Sequence, residues 1–137
     1  MEALSEYEKN LVRHSFTYIA PQNEDIAELF YARLFDLDPE VERLFVSDMD
    51  LQRAKLMQML ASLVNALDTP DTLGQATREL GQRHAGYGVH NRHYATVGEA
   101  LIWAMREVCP TIMTTPVTRA WQKTYDMLAG LAISGAR

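Results

Sequence analysis

A chain of 137 residues, 47 % of them hydrophobic, suits one domain over residues 1–137 and can bury a sizeable core. Its net charge of -5, with no basic tract, argues against nucleic-acid or membrane partners. The acidic start MEALSEYEKN lacks a signal-peptide pattern and no apolar run reaches transmembrane length, so the cytoplasm is the expected compartment; Cys109, the one cysteine, can form no internal disulfide and is expected to pack.

Nearly every segment reads with helical periodicity, and the β-branched residues never sustain a period-two alternation, so the predicted fold class is all-α. Ser5 with Glu8 forms a capping-box pattern ahead of Leu11, Val12, Ser15 and Ile19, predicting a first helix to about residue 20 that Pro21 stops. Asn23 is the predicted cap of a second helix with Ile26, Ala27, Phe30 and Leu34 inward. Asp38 and Pro39 start a short third helix ending near Phe45, and a loop follows over residues 46–49. The next helix, about 50–67, carries the stripe Gln52, Leu56, Met59, Leu63 and Leu67, apolar except for the amide at its head. Thr69 with Pro70, Asn91, and Thr115 with Pro116 mark the starts of three more long helices. The first of them, reading best over 72–87, carries Leu73, Ala76 and Leu80 on the face of His84, and Gly86 and Gly88 break it. The second shows Tyr94, Val97, Leu101 and Met105 at helical spacing, and the last Val117, Trp121, Thr124, Leu128 and Leu131. There is no repeat and no low-complexity tract.

His84 is the most informative residue, because this pattern places a ring nitrogen on a buried face directly before a helix break. A core histidine satisfied by a neighbour is the alternative. The stretch LGQRHAGYGVHNRHYATVGEAL resembles the proximal-histidine segment of globins, above all the single-domain bacterial globins and the haem domain of flavohaemoglobins. Upstream, ELFYARLFDLDPEVERLF with Tyr31 and Phe45, and LQRAKLMQML with Gln52 and Leu56 four residues apart, resemble the distal half of the same family. The likeness runs in one order from about Ile26 to the segment AWQKTYDMLAGL.

The resemblance implies a globin fold around one haem b (iron protoporphyrin). By it, His84 is the metal ligand, with its second ring N–H donating to a backbone carbonyl, most simply that of Leu80 one turn earlier. Tyr94 lies near the imidazole, Phe45 stacks on the haem face, Leu56, Val89, Val97 and Leu101 line the slot, and Lys55 and Arg83 partner the propionates. Apolar residues at helical spacing are usually plain core, and exposed cations are commonly solvated, so these assignments rest on the resemblance. In flavohaemoglobins a Glu near the chain end joins the Tyr and His, whereas an ungapped extension puts Ala136 there, which moves the reading away from peroxidase-like chemistry toward reversible ligand binding.

Tyr31 and Gln52 carry the functional reading as the catalytic pair. A phenol O–H and an amide N–H aimed at a dioxygen ligand, which carries partial negative charge, would each contribute roughly 1.5 to 3 kcal/mol, and carbon monoxide would gain much less. Alternatively Tyr31 packs with its hydroxyl on a backbone carbonyl and Gln52 points to water. With His14, His90 and His93 on other elements, a second histidine on iron is not expected, and a neutral Lys55 reaching inward would be costly. The leading expectation is a globin that holds dioxygen tightly. The enzyme alternative is nitric oxide dioxygenation served by a separate reductase, for which this chain has no room. A gas or redox sensor and a haem-free interaction protein are the other classes. The expected partners are dioxygen, nitric oxide and carbon monoxide, and the expected state is a monomer or weak homodimer.

Overall fold

The structure, a computed structural model, describes residues 4–45, 48–86 and 88–135. Among them there are six α-helices, two 3-10 turns and no strand. α1 (Glu6–Ile19) begins on the predicted capping box: the Ser5 N–H donates to Glu8 Oε1 at 2.8 Å, and the Glu8 N–H to Ser5 Oγ at 3.1 Å. It buries Val12, Ser15 and Ile19.

α1 ends just before Pro21, as expected. The proline sits at the start of a 3-10 turn, Ala20–Gln22, where a missing N–H costs nothing, and α2 (Asn23–Leu37) follows at once with Asn23 as its first residue and not its cap. α2 buries the predicted Ile26, Ala27, Phe30 and Leu34, and Tyr31 with them. Asp38 ends α2 by donating its N–H to the Leu34 carbonyl at 2.9 Å. The short element after it, Pro39–Leu44, is a 3-10 helix, and Phe45 caps its end.

α3 (Met49–Asn65) is capped by Asp48, whose carboxylate accepts the Asp50 N–H at 2.9 Å. Its buried edge is Leu56, Met57, Leu60 and Val64, with Leu67 just beyond. The predicted stripe was rotated: Gln52, Met59 and Leu63 are only half-buried. α3 packs on α2 and α1, and those helices cover one edge of an apolar surface broader than a single stripe.

α4 (Pro70–Gly86) is corrected in the same way. Ala76 is exposed, Leu80 and His84 are half-buried, and the covered face is Leu73, Gly74, Thr77 and Gly81. That face lies on α6, the chief partner of α4. A Cβ on Gly81 would collide with the Ala132 carbonyl, and one on Gly135 with the Arg78 backbone, so the two helices approach backbone to backbone. Gly88, at φ +89°, then turns the chain, while the Val89 N–H donates to the His84 carbonyl at 3.0 Å.

α5 (Asn91–Val108) is capped by His90 and not by Asn91, and α6 (Thr115–Gly135) by Thr114, whose carbonyl accepts the Thr118 N–H at 2.8 Å. α5 packs on α2 and α6, and Cys109 is buried at its end. α1 crosses α6, where the Trp121 indole N–H donates to Ser15 Oγ at 2.9 Å in the core. Among the described residues no helix is long and apolar enough to cross a membrane. α3 and α4 do not pack extensively on each other: α3 is supported by α2 and α1, and α4 by α6.

Candidate functional site

One half of the candidate site is built around His84 on α4. Three turns of helix seated on α6 fix its backbone, and its half-buried ring sits off the seated face. His84 Nδ1 lies 2.8 Å from the Leu80 carbonyl oxygen, which can only accept, so Nδ1 carries the hydrogen and the lone pair is on Nε2. Burial is the largest influence on its pKa and lowers it, Arg83 lowers it further, and the Leu80 bond opposes both without cancelling them. The ring is therefore a neutral base near pH 7.

The Tyr94 ring stacks on that of His84, with centroids 6.4 Å apart and planes 27° from parallel. Tyr125, which the sequence reading did not single out, donates its hydroxyl to the Tyr94 carbonyl from α6. Its ring lies against Gly98, where a Cβ would fall 2.5 Å from a ring carbon. The signal for it was available: Tyr125 stands one turn beyond Trp121 on the buried face of α6, opposite a glycine in α5. Val89 lines a cavity of about 580 Å³ with Gly81, Ala85, His90 and Tyr94 at this corner.

The other side gathers Tyr31, Gln52 and Phe45. Tyr31 is 6 % exposed, and its ring is clamped by Phe30, Phe45 and Phe35 at centroid separations of 4.8, 5.4 and 5.9 Å. Its hydroxyl donates to the Gln52 main-chain carbonyl at 3.3 Å. The two expected donors are thus joined through backbone, the arrangement set out above as the packing alternative for Tyr31. Desolvation pushes the phenol pKa up to about 12, Arg53 opposing, so the hydroxyl keeps its proton at any physiological pH.

Leu56 and Leu101 are buried in the core that contains Tyr31, and Val97 and Phe45 pack against it. Lys55 and Arg83 are exposed, and Arg83 acts on His84 through charge. Ala136 lies outside the described residues. No three His, Cys, Asp or Glu side chains among the described residues converge to hold a bare metal ion. A neutral imidazole whose Nε2 lone pair is left free by the Leu80 bond, together with the apolar Phe45, Leu56, Val97 and Leu101, fits a haem.

Comparison with known proteins agrees with this geometry. The globin family profile matches residues 28–131. A flavohemoprotein of Xylella fastidiosa is 31 % identical over 125 residues, covering 88 % of this chain and 31 % of that protein. The chain thus spans about a third of the length of the flavohemoproteins it matches. Neuroglobin of Danio rerio is 28 % identical over 149 residues, covering 98 % of this chain and 94 % of that one. Among solved structures, an engineered carbene transferase described as a candidate nitric oxide dioxygenase from Rhodothermus marinus superposes with a TM-score of 0.85 at 32 % identity, over 97 % of this chain and 93 % of the other. An all-helical fold and a family match over most of its length make this chain a member of the globin family, for which haem is the implied cofactor.

Proposed function

We propose that the chain is a haem b globin that holds dioxygen firmly, with His84 on iron and Tyr31 and Gln52 as donors to the ligand. The observation that carries this reading is the His84–Leu80 pair, which fixes the tautomer and leaves Nε2 to a metal. Haem, when bound, supplies an iron whose sixth position takes dioxygen, nitric oxide or carbon monoxide. The side chains do the rest. Phe45, Leu56, Val97 and Leu101 provide the apolar surface that keeps water out. Tyr31 holds a proton and turns it from Gln52 to the ligand. An O–H···O bond of 3.3 Å is long, so giving it up costs about 1 kcal/mol, less than the roughly 1.5 to 3 kcal/mol of a charge-assisted bond. In this reading the protein works in the cytoplasm as a monomer or weak homodimer.

The flavohemoprotein relatives and the Rhodothermus marinus neighbour favour a second reading, nitric oxide dioxygenation with electrons from a separate reductase. Absorption spectra of the purified protein in ferric, ferrous and dioxygen-exposed forms, with His84→Ala beside it, test the first reading. The wild type should be five-coordinate when ferrous and hold dioxygen, and His84→Ala should not retain haem. A six-coordinate low-spin ferrous spectrum, or haem kept by His84→Ala with unchanged ligation, would refute it. Nitrate formed repeatedly from nitric oxide once a reductase is added would favour the second.

A further inference from the structure

His93 opens α5 in an unusual way. It is 5 % exposed, and its Nδ1 accepts the His90 N–H at 2.8 Å, so that nitrogen carries no hydrogen and the neutral ring is protonated on Nε2. Nε2 lies 3.9 Å from Asp38 Oδ2, and Arg92 Nη1 lies 4.0 Å from the same oxygen. These separations are too long for direct hydrogen bonds and act through charge. The charged and titratable groups facing the ring are Asp38 and Glu40, from the corner after α2, and His90 and Arg92, from its own turn.

This small cluster joins both halves of the site. From Asp38 the chain runs through the 3-10 helix to Phe45, which touches Tyr31. From His93 it passes directly into Tyr94, which stacks on His84. We infer that His93 is a positioning residue: its neutral ring fastens the first turn of α5 and holds Tyr94 against His84, and its protonation releases that turn. The inference rests on reading His84 as the ligand to iron.

The chemistry follows from the inventory of protons. Only a lone pair can accept the His90 N–H, and a protonated imidazole has donors at both nitrogens, so the capping bond must break. The new positive charge would also stand at the N-terminus of α5, the wrong end for a cation. Burial, then Arg92, lower the pKa of His93 more than Asp38 and Glu40 raise it. An unfolded histidine therefore takes a proton first as the pH falls below about 6.5, and the stability that His93 contributes is complete above that value and declines as the pH drops toward the native pKa. Glutamine, the ordinary partner at this position of a capping box, would accept the same N–H through its amide oxygen and would not titrate.

The test uses the full chain as purified, wild type and His93→Gln, between about pH 8 and pH 5, a span that brackets the titration of histidine. Nitrogen NMR of the His93 ring reads the tautomer, the His90 amide signal reads the capping bond, and resonance Raman of the ferrous protein reads the iron–histidine stretch. In wild type the Nε2–H tautomer should be present at high pH, and the amide signal and the stretch should move together as the ring protonates. In His93→Gln both should stay flat. A ring protonated on Nδ1 at high pH, a measurement that needs no variant, would overturn the inference. So would a stretch that moves with pH in His93→Gln as it does in wild type. Absence of any iron–histidine stretch in both proteins would instead remove the assignment of His84 on which the inference stands, and the inference would fall with it.

Discussion

Replacing Tyr31 with phenylalanine separates a donor to ligand from a merely packed ring. The substitution keeps the aromatic clamp with Phe30, Phe35 and Phe45 and deletes one oxygen. In the folded protein that oxygen has one partner to lose, the Gln52 carbonyl at 3.3 Å, so stability should fall by about 0.5 to 1.5 kcal/mol. The effect on ligand retention is a difference. A charge-assisted bond to dioxygen is worth roughly 1.5 to 3 kcal/mol, and withdrawing the proton from Gln52 takes back about 1, leaving about 0.5 to 2 kcal/mol. Dioxygen should therefore leave Tyr31→Phe roughly 2- to 30-fold faster, while carbon monoxide, which offers little charge, changes much less. Gln52→Leu should act in the same direction. Because both donors address one small ligand, the double variant should differ from the product of the singles. Stopped-flow dissociation of both gases from the four proteins, with denaturant unfolding beside it, reads every quantity. Lost stability with an unchanged dioxygen rate would return Tyr31 to packing alone. Equal acceleration for both gases would show that access to the site had changed.

Gly81→Ala should be destabilising by about 1 to 3 kcal/mol, against the usual gain for alanine in a helix, because the new methyl meets the Ala132 carbonyl; a raised thermal midpoint would contradict the backbone seat of α4 on α6. Ser15→Ala should cost about 1 to 3 kcal/mol by stranding the buried Trp121 N–H, whereas Ser15→Ala in a Trp121→Phe background should cost less, and chemical denaturation of the double-mutant cycle decides it. Ser5→Ala should remove about 1 kcal/mol by opening the capping box of α1, seen as a lower denaturant midpoint with an unchanged slope.

Much of the local geometry of the candidate site could be read from residue order. His84 is singled out by spacing, and the carbonyl of Leu80 is the acceptor helix geometry offers one turn back. Tyr31 and Phe45 are neighbours because a short 3-10 turn after Asp38 folds the chain back on α2. Other features escaped for definite reasons. The stripes of α3 and α4 were misplaced because each has more small and apolar residues than one face needs, and only the neighbouring helix selects which edge is covered. Asn91 was expected to cap α5 because its side chain commonly does so, whereas Asn91 is the first helical residue and His93, three residues past His90, accepts the His90 N–H.

What this sequence determined by itself was local: six helical periods, the breaks at proline and glycine, the capping box at Ser5, and an imidazole placed one turn after a carbonyl. Hydrogen bonds within a turn and the 3.6-residue repeat act over a few residues, so they are written in order along the chain. Only the tertiary structure decided that α4 would sit backbone to backbone on α6, leaving His84 half-buried off that seat, and that the Tyr31 hydroxyl would rest on the Gln52 carbonyl. Those outcomes depend on which surfaces of distant helices find complementary shape, a property that no single segment carries.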